Sequence, residues 1–281
     1  MQHGDKQQPD TGTPRHLDIG IAEGLRRIAY TTRAGNAPGV FWMPGFKSEM
    51  RSTKASYLDE WAARRGQAYT RFDYSGHGLS AGRFEDGTLS RWLEEAIAVF
   101  DHVTEGPQVV VGSSMGGYLA LLMAHHFLAR TSTGRPGRIK GLVLIAPAWN
   151  MTEDLMWKNA PEEARSAILE DGVWMRPSRY ADGPYPITRA LIDDGRAHLM
   201  ANTPWNPGCP IEIIQGLKDP DVPYEHVRRL ADLLIGVPVN LNAVPDGEHR
   251  LSEPEDLALL AARIEHVLEM SEDQDQRLST R

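Results

Sequence analysis

The chain has 281 residues, 30 Lys plus Arg against 38 Asp plus Glu, and a formal net charge of −8 with neutral histidines. An apolar share of 41% beside 24% charged residues is that of a folded globular protein and excludes a disordered chain. The acidic balance argues against broad binding to nucleic acid or anionic membrane, which needs clustered Lys and Arg, and the single cysteine, Cys209, excludes an intrachain disulfide or a cysteine-built metal site.

In chain order, residues 1–18 are polar and read as a mobile lead-in. Residues 25–31 form an early strand, and 40–43 a buried strand ending at Pro44-Gly45. A helix follows over 53–65, with Ala55, Leu58, Trp61 and Ala62 on its apolar face. Then come a strand over 68–73, a glycine-rich loop over 74–80, an amphipathic helix over 89–102, a strand over 108–112, an apolar helix over 115–130 and a strand over 139–146. This alternation predicts an α/β fold with a mostly parallel central sheet and helices on both faces.

The rhythm breaks over 149–206, where Pro and Gly recur and four of the seven tryptophans gather. Short helices fit at 162–169 and 188–195, and no strand is expected. This stretch reads as a cap inserted before the strand that carries the acid. The rhythm returns with a strand at 211–215, a helix at 224–234, a strand at 239–243 and a last helix. Ser252-Glu-Pro-Glu255 suggests a capping box for that helix. The expected division is a core of 19–148 and 207–271, a cap of 149–206 and a polar tail of 272–281. Apolar runs such as 108–111 and 142–148 are strand-sized, well short of the ~20 residues that span a bilayer. The first residues lack the apolar core of a secretory signal and the Arg-rich character of a transit peptide. With one cysteine in the chain, the expected address is the cytoplasm.

Gly112-Ser-Ser-Met-Gly116 is a G-x-S-x-G between an apolar strand and an apolar helix, the setting of a nucleophile elbow. So tight a turn needs glycines two positions either side of the nucleophile, which makes Ser114 the candidate. An ordinary glycine-rich turn would leave Ser113 equally eligible. A serine hydroxyl needs a base, and the base needs an acid to hold it, in the chain order Ser, acid, His. Asp219 and Asp221 both follow the strand at 211–215, and His249 lies between the last strand and last helix. Backbone N–H groups of Met115 and Phe46 are the candidate oxyanion donors, although Phe46 also suits a packing role. Trp149, Met151, Trp157 and Trp174, with Met156 and Met175, are candidates for an apolar acyl pocket, or for packing the cap onto the sheet. His77 suits a structural role better than a catalytic one. The adjacent His125 and His126 point to different helix faces and cannot share a metal. Neither H-E-x-x-H nor a phosphate loop occurs, so neither metal nor cofactor is expected.

Three motifs together carry a resemblance: Phe72-Asp-Tyr-Ser-Gly-His-Gly-Leu-Ser80, Gly112-Ser-Ser-Met-Gly-Gly117 and Gly216-Leu-Lys-Asp-Pro-Asp-Val-Pro223. They resemble the α/β-hydrolase superfamily. Pro44-Gly-Phe-Lys-Ser-Glu-Met50, Gly106-Pro-Gln108, Gly172-Val-Trp with Pro177-Ser178, and Cys209-Pro-Ile211 narrow it. These are similar to the branch of the mitochondrial palmitoyl-protein thioesterase, also described as mycophenolic acid acyl-glucuronide esterase. The resemblance spans about residues 25–270 and implies Ser114 as nucleophile, Asp219 rather than Asp221 as acid, and His249 as base. The function expected is hydrolysis of a small-molecule acyl ester or thioester, or of an acylated protein, through an acyl-enzyme. An acyltransferase on the same residues and a non-catalytic binding protein of the same fold are the alternatives.

Overall fold

The computed structural model describes residues 12–20, 24–130, 137–177 and 183–279. Among the described residues ten strands, β1(Arg15–Ile19), β2(Arg26–Arg33), β3(Asn36–Met43), β4(Gln67–Phe72), β5(Gln108–Ser113), β6(Ile139–Ile145), β7(Val173–Arg176), β8(Tyr185–Thr188), β9(Ile211–Gly216) and β10(Val239–Val244), are interspersed with seven α-helices. The helices are α1(Thr53–Arg65), α2(Leu89–Val103), α3(Met115–Arg130), α4(Glu162–Glu170), α5(Arg189–Gly195), α6(Tyr224–Leu233) and α7(Pro254–Ser279). Eight strands form one sheet in the order β1-β2-β4-β3-β5-β6-β9-β10. The pairs β1–β2 and β2–β4 are antiparallel, and every pair from β4–β3 onward is parallel.

Strand pleating sorts the central side chains into two cores. Phe41, Met43, Val110, Leu142, Leu144, Ile211 and Ile213 face α2, α3 and α6. Their neighbours Val40, Trp42, Val109, Val111, Val143, Ile145 and Ile214 face α1 and α7. Burial on both faces is why β3, β5 and β6 read as unbroken apolar runs. Phe41 is fully buried between Phe72, stacked at 5.4 Å, and Phe100, edge-on at 5.4 Å. Phe41→Ala should therefore lower the unfolding free energy by about 3–5 kcal/mol, measured by urea denaturation. A loss below about 1 kcal/mol would contradict this packing.

Several expectations need correction. Residues 15–18 are not lead-in but part of β1, paired to β2 from Arg15↔Tyr30 to Ile19↔Arg26; residues 1–11 lie outside the described residues. Residues 272–279 continue α7 instead of forming a separate tail, since no Gly or Pro stops the helix there; residues 280–281 are not described. The stretch 149–206 does contain strands: β7 and β8 form an antiparallel pair from Val173↔Thr188 to Arg176↔Tyr185. Ser178, part of the branch pattern, lies outside the described residues. The capping box also moves by one residue, because α7 starts at Pro254: the Asp256 carboxylate accepts the Glu253 N–H at 3.1 Å, while Ser252 Oγ donates to Arg250 O at 3.0 Å. Among the described residues no helix is long and apolar enough to cross a membrane.

Candidate active site

Parallel strands deliver their loops to one edge of the sheet, where α/β proteins bind ligands. β5 ends at Ser113, and the next residue, Ser114, takes a left-handed φ of 54°. Its N–H donates to Ile145 O at 2.8 Å, and its carbonyl accepts Tyr118 N–H and Ala148 N–H at 3.1 and 3.2 Å. These bonds over-determine a conformation that a serine otherwise avoids. The glycines are compulsory. A Cβ on Gly112 would lie 2.4 Å from Gly116 O, and one on Gly116 would lie 2.1 Å from Met43 O.

β9 ends at Gly216, whose hypothetical Cβ would sit 2.3 Å from Gly247 O. Only a glycine lets the loop after β9 run that close to the loop after β10. Leu217 N–H to Val244 O at 2.9 Å and Lys218 N–H to Gly247 O at 3.0 Å tie the two loops together. Between them stand Asp219 and His249. Asp219 Oδ1 accepts the N–H groups of Asp221 and Val222 at 2.8 and 2.9 Å. Its Oδ2 accepts from Gln215 Nε2 at 3.3 Å and from His249 Nδ1 at 2.8 Å. With Nδ1–H spent on a carboxylate, Nε2 presents its lone pair, and Ser114 Oγ lies 3.1 Å from it. The Asp219 side chain is fully enclosed, whereas that of His249 is 17% exposed. Asp221 lines the same cavity, 3.8 Å from Arg176, whereas the imidazole Nδ1 is taken by Asp219. Ser113 lines the same cavity but does not contact the imidazole. Asp219, Asp221 and His249 also have the spacing of a metal-binding cluster, but both imidazole nitrogens are already engaged.

Met115 opens α3, so its N–H is one of the helix's unpaired donors and sits at the positive end of the dipole. The loop after β3 runs against the elbow: a Cβ on Gly45 would be 3.4 Å from Ser114 Cβ. Phe46 is next, its ring packed on Phe84, Trp92 and Tyr185 with centroids 4.9–5.8 Å apart. His77 touches neither Ser114 nor Asp219; it bonds Ser75 O and Lys47 N–H.

The cavity in front of Ser114 encloses about 420 Å³. Met151, Leu155 and Met156, from a π-helical turn over Met151–Trp157, form its apolar wall. Lys47, Lys54, Arg176 and Arg250 supply the polar side. Of the pocket residues expected, Met151 and Met156 line the cavity and the three tryptophans do not. Trp149 is buried and donates its Nε1–H to His226 O at 2.9 Å. Trp157 and Trp174 pack around Ile168, Ile187 and Ile192, and Met175 faces solvent. Composition could not show this, since facing is set by contacts distant in sequence. Lys54 also went unnoticed. Burial pushes its ammonium down to about 8, and it donates to Arg250 O and to Ser252 Oγ.

Residues 52–184 match the model of the alpha/beta hydrolase fold. The palmitoyl-protein thioesterase ABHD10 of Bos taurus mitochondria is 34% identical over 248 residues, covering 87% of this chain and 78% of that protein. The chain belongs to the α/β-hydrolase family. It is an ester- or thioester-hydrolysing enzyme, and its fold and kinship are those expected from the motifs. Among solved structures, mouse ABHD10 superposes with a TM-score of 0.80 at 31% identity, covering 92% of this chain and 99% of that one. A candidate hydrolase from Agrobacterium vitis S4 gives 0.86 at 40% identity, covering 91% and 98%. The curated relatives are mitochondrial proteins, which overturns the cytoplasmic address expected from the sequence. A lone buried thiol excludes a disulfide without telling one reducing compartment from another.

Proposed function

We propose that Ser114, His249 and Asp219 are the catalytic residues and that the hydrolase works through an acyl-enzyme. The observation that carries this is the continuous chain from Asp219 Oδ2 to His249 Nδ1 at 2.8 Å and from His249 Nε2 to Ser114 Oγ at 3.1 Å. As Ser114 Oγ attacks the acyl carbonyl carbon, its proton passes to His249 Nε2. The carbonyl oxygen, now an oxyanion, takes hydrogen bonds from Met115 N–H and Phe46 N–H. Collapse of the tetrahedral adduct breaks the bond to the leaving oxygen or sulfur, which departs with the proton held on His249. Water, deprotonated by the same nitrogen, then attacks the acyl-enzyme. The carboxylic acid leaves, and Ser114 recovers its proton.

The substrate is an acyl ester or thioester with its acyl chain along Met151, Leu155 and Met156. The segment 149–206, which supplies that wall, serves as the cap. An acylated protein is a fitting leaving group, as in the thioesterases named among the relatives, and nucleic acid is not a partner of this acidic chain. Each buried methylene contributes about 0.8 kcal/mol, so four more of them on going from butyryl to octanoyl should raise kcat/KM by roughly 10²-fold. Rates for p-nitrophenyl and thioester substrates of increasing chain length measure this. A flat profile would remove the acyl chain from that wall. A fluorophosphonate probe should label the protein on Ser114, and labelling of another residue would overturn the assignment of the nucleophile.

A further inference from the structure

His77 belongs to the glycine-rich loop after β4, and the reaction above does not use it. The residue is 5% exposed, and its ring centroid lies 5.8, 5.1 and 5.3 Å from those of Tyr74, Phe84 and Trp92. Nδ1 lies 3.1 Å from the carbonyl of Ser75, which can only accept. Nδ1 therefore carries the hydrogen, and Nε2 is left as a bare acceptor. The group facing Nε2, at 3.1 Å, is the backbone N–H of Lys47. Lys47 has a left-handed φ of 56° and directly follows Phe46. The peptide fixed by His77 is thus the Phe46–Lys47 peptide, one bond removed from the donor assigned to the oxyanion.

We infer that His77 is a positioning residue for the oxyanion hole, whose neutral imidazole holds the Phe46–Lys47 peptide so that Phe46 N–H points at the site of the developing charge. The inference rests on the assignment of Phe46 N–H as a donor. The ring is itself anchored. Ser75, whose carbonyl takes the Nδ1–H, donates its own N–H to the enclosed carboxylate of Glu95 at 2.8 Å. Ser75 O also accepts Trp92 Nε1–H at 3.2 Å. Burial, and secondarily the Lys47 charge, push the His77 imidazolium down to about 4 against the opposing Ser75 carbonyl, so the acceptor form persists at neutral pH. Preorganised donors act without reorganising during the reaction. A donor left to wander loses transition-state binding more than substrate binding.

The test uses the full chain and a p-nitrophenyl ester, with three variants. His77→Phe removes the acceptor and keeps a ring. His77→Gln restores an acceptor oxygen near the Nε2 position. Phe46→Pro deletes the oxyanion N–H itself. We expect Phe46→Pro and His77→Phe each to lower kcat by roughly 10²-fold, with KM for His77→Phe within about threefold of wild type and at least a tenfold recovery of kcat in His77→Gln. Equal kcat values for His77→Phe and wild type, beside a crippled Phe46→Pro, would overturn the role of His77. An unaffected Phe46→Pro would instead overturn the oxyanion assignment. If His77→Phe does not fold, ring ¹⁵N shifts of the wild-type enzyme still decide. The Nδ1–H tautomer at neutral pH is required, and an Nε2–H tautomer would end the proposal.

Discussion

Ser114→Ala should lower kcat for ester hydrolysis by roughly 10³-fold or more, with KM nearly unchanged. The hydroxyl is the only group lost, and it contributes mainly to the transition state. The alanine keeps the elbow's backbone bonds, to Ile145 O at 2.8 Å and from Tyr118 and Ala148 at 3.1 and 3.2 Å, so the fold should survive. Ser113→Ala is the matching control. Ser113 is in the same cavity and one residue away, but the imidazole is bonded to Ser114 Oγ, so the control should stay within about threefold of wild type. Steady-state kinetics on both variants measures the contrast. A residual Ser114→Ala rate near that of wild type would remove the acyl-enzyme from the mechanism.

Much of the sheet was legible because β3, β5 and β6 are buried on both faces, and double burial writes itself as contiguous apolar residues, Val-Phe-Trp-Met in β3 and Val-Val-Val in β5. The bounds of α1 and α3 follow their sequence spacing to the residue, since amphipathic or apolar runs end there at Gly66 or begin at the elbow. β1 was hidden because it lies at the sheet edge, where Arg15 and His16 are exposed and alternation is weak. β8 was hidden because Pro186 interrupts Tyr-Pro-Ile-Thr, and a two-stranded pair tolerates a proline that a central strand would not. The approach of Asp219 to His249 left a local trace in the glycines that make it sterically feasible. The basic side of the cavity left none: Lys54 and Arg250 are 196 residues apart, and only the fold brings them together.

Asp219→Asn should be about as damaging as loss of the nucleophile, at roughly 10³- to 10⁴-fold in kcat. The hydrogen bonds around residue 219 dictate why. Two backbone donors, Asp221 N–H and Val222 N–H, converge on Oδ1 at 2.8 and 2.9 Å. An asparagine must place its single oxygen there, because an amide NH₂ facing two N–H groups would leave all of them unpaired. Its NH₂ group then occupies the place of Oδ2, 2.8 Å from His249 Nδ1. A donor there selects the tautomer with the hydrogen on Nε2, which points a proton at Ser114 Oγ instead of a lone pair. The geometry is kept and the base is lost. Asp221→Asn leaves the Asp219–His249 hydrogen bond in place and weakens a partly exposed pairing with Arg176 at 3.8 Å, worth little by itself, so kcat should stay within about threefold. Kinetics of the two variants, with ring ¹⁵N shifts to read the His249 tautomer, separates the candidates. If Asp221→Asn proved the more damaging, the acid would have been misassigned, and Asp221, which borders the same cavity, would have to hold the imidazole.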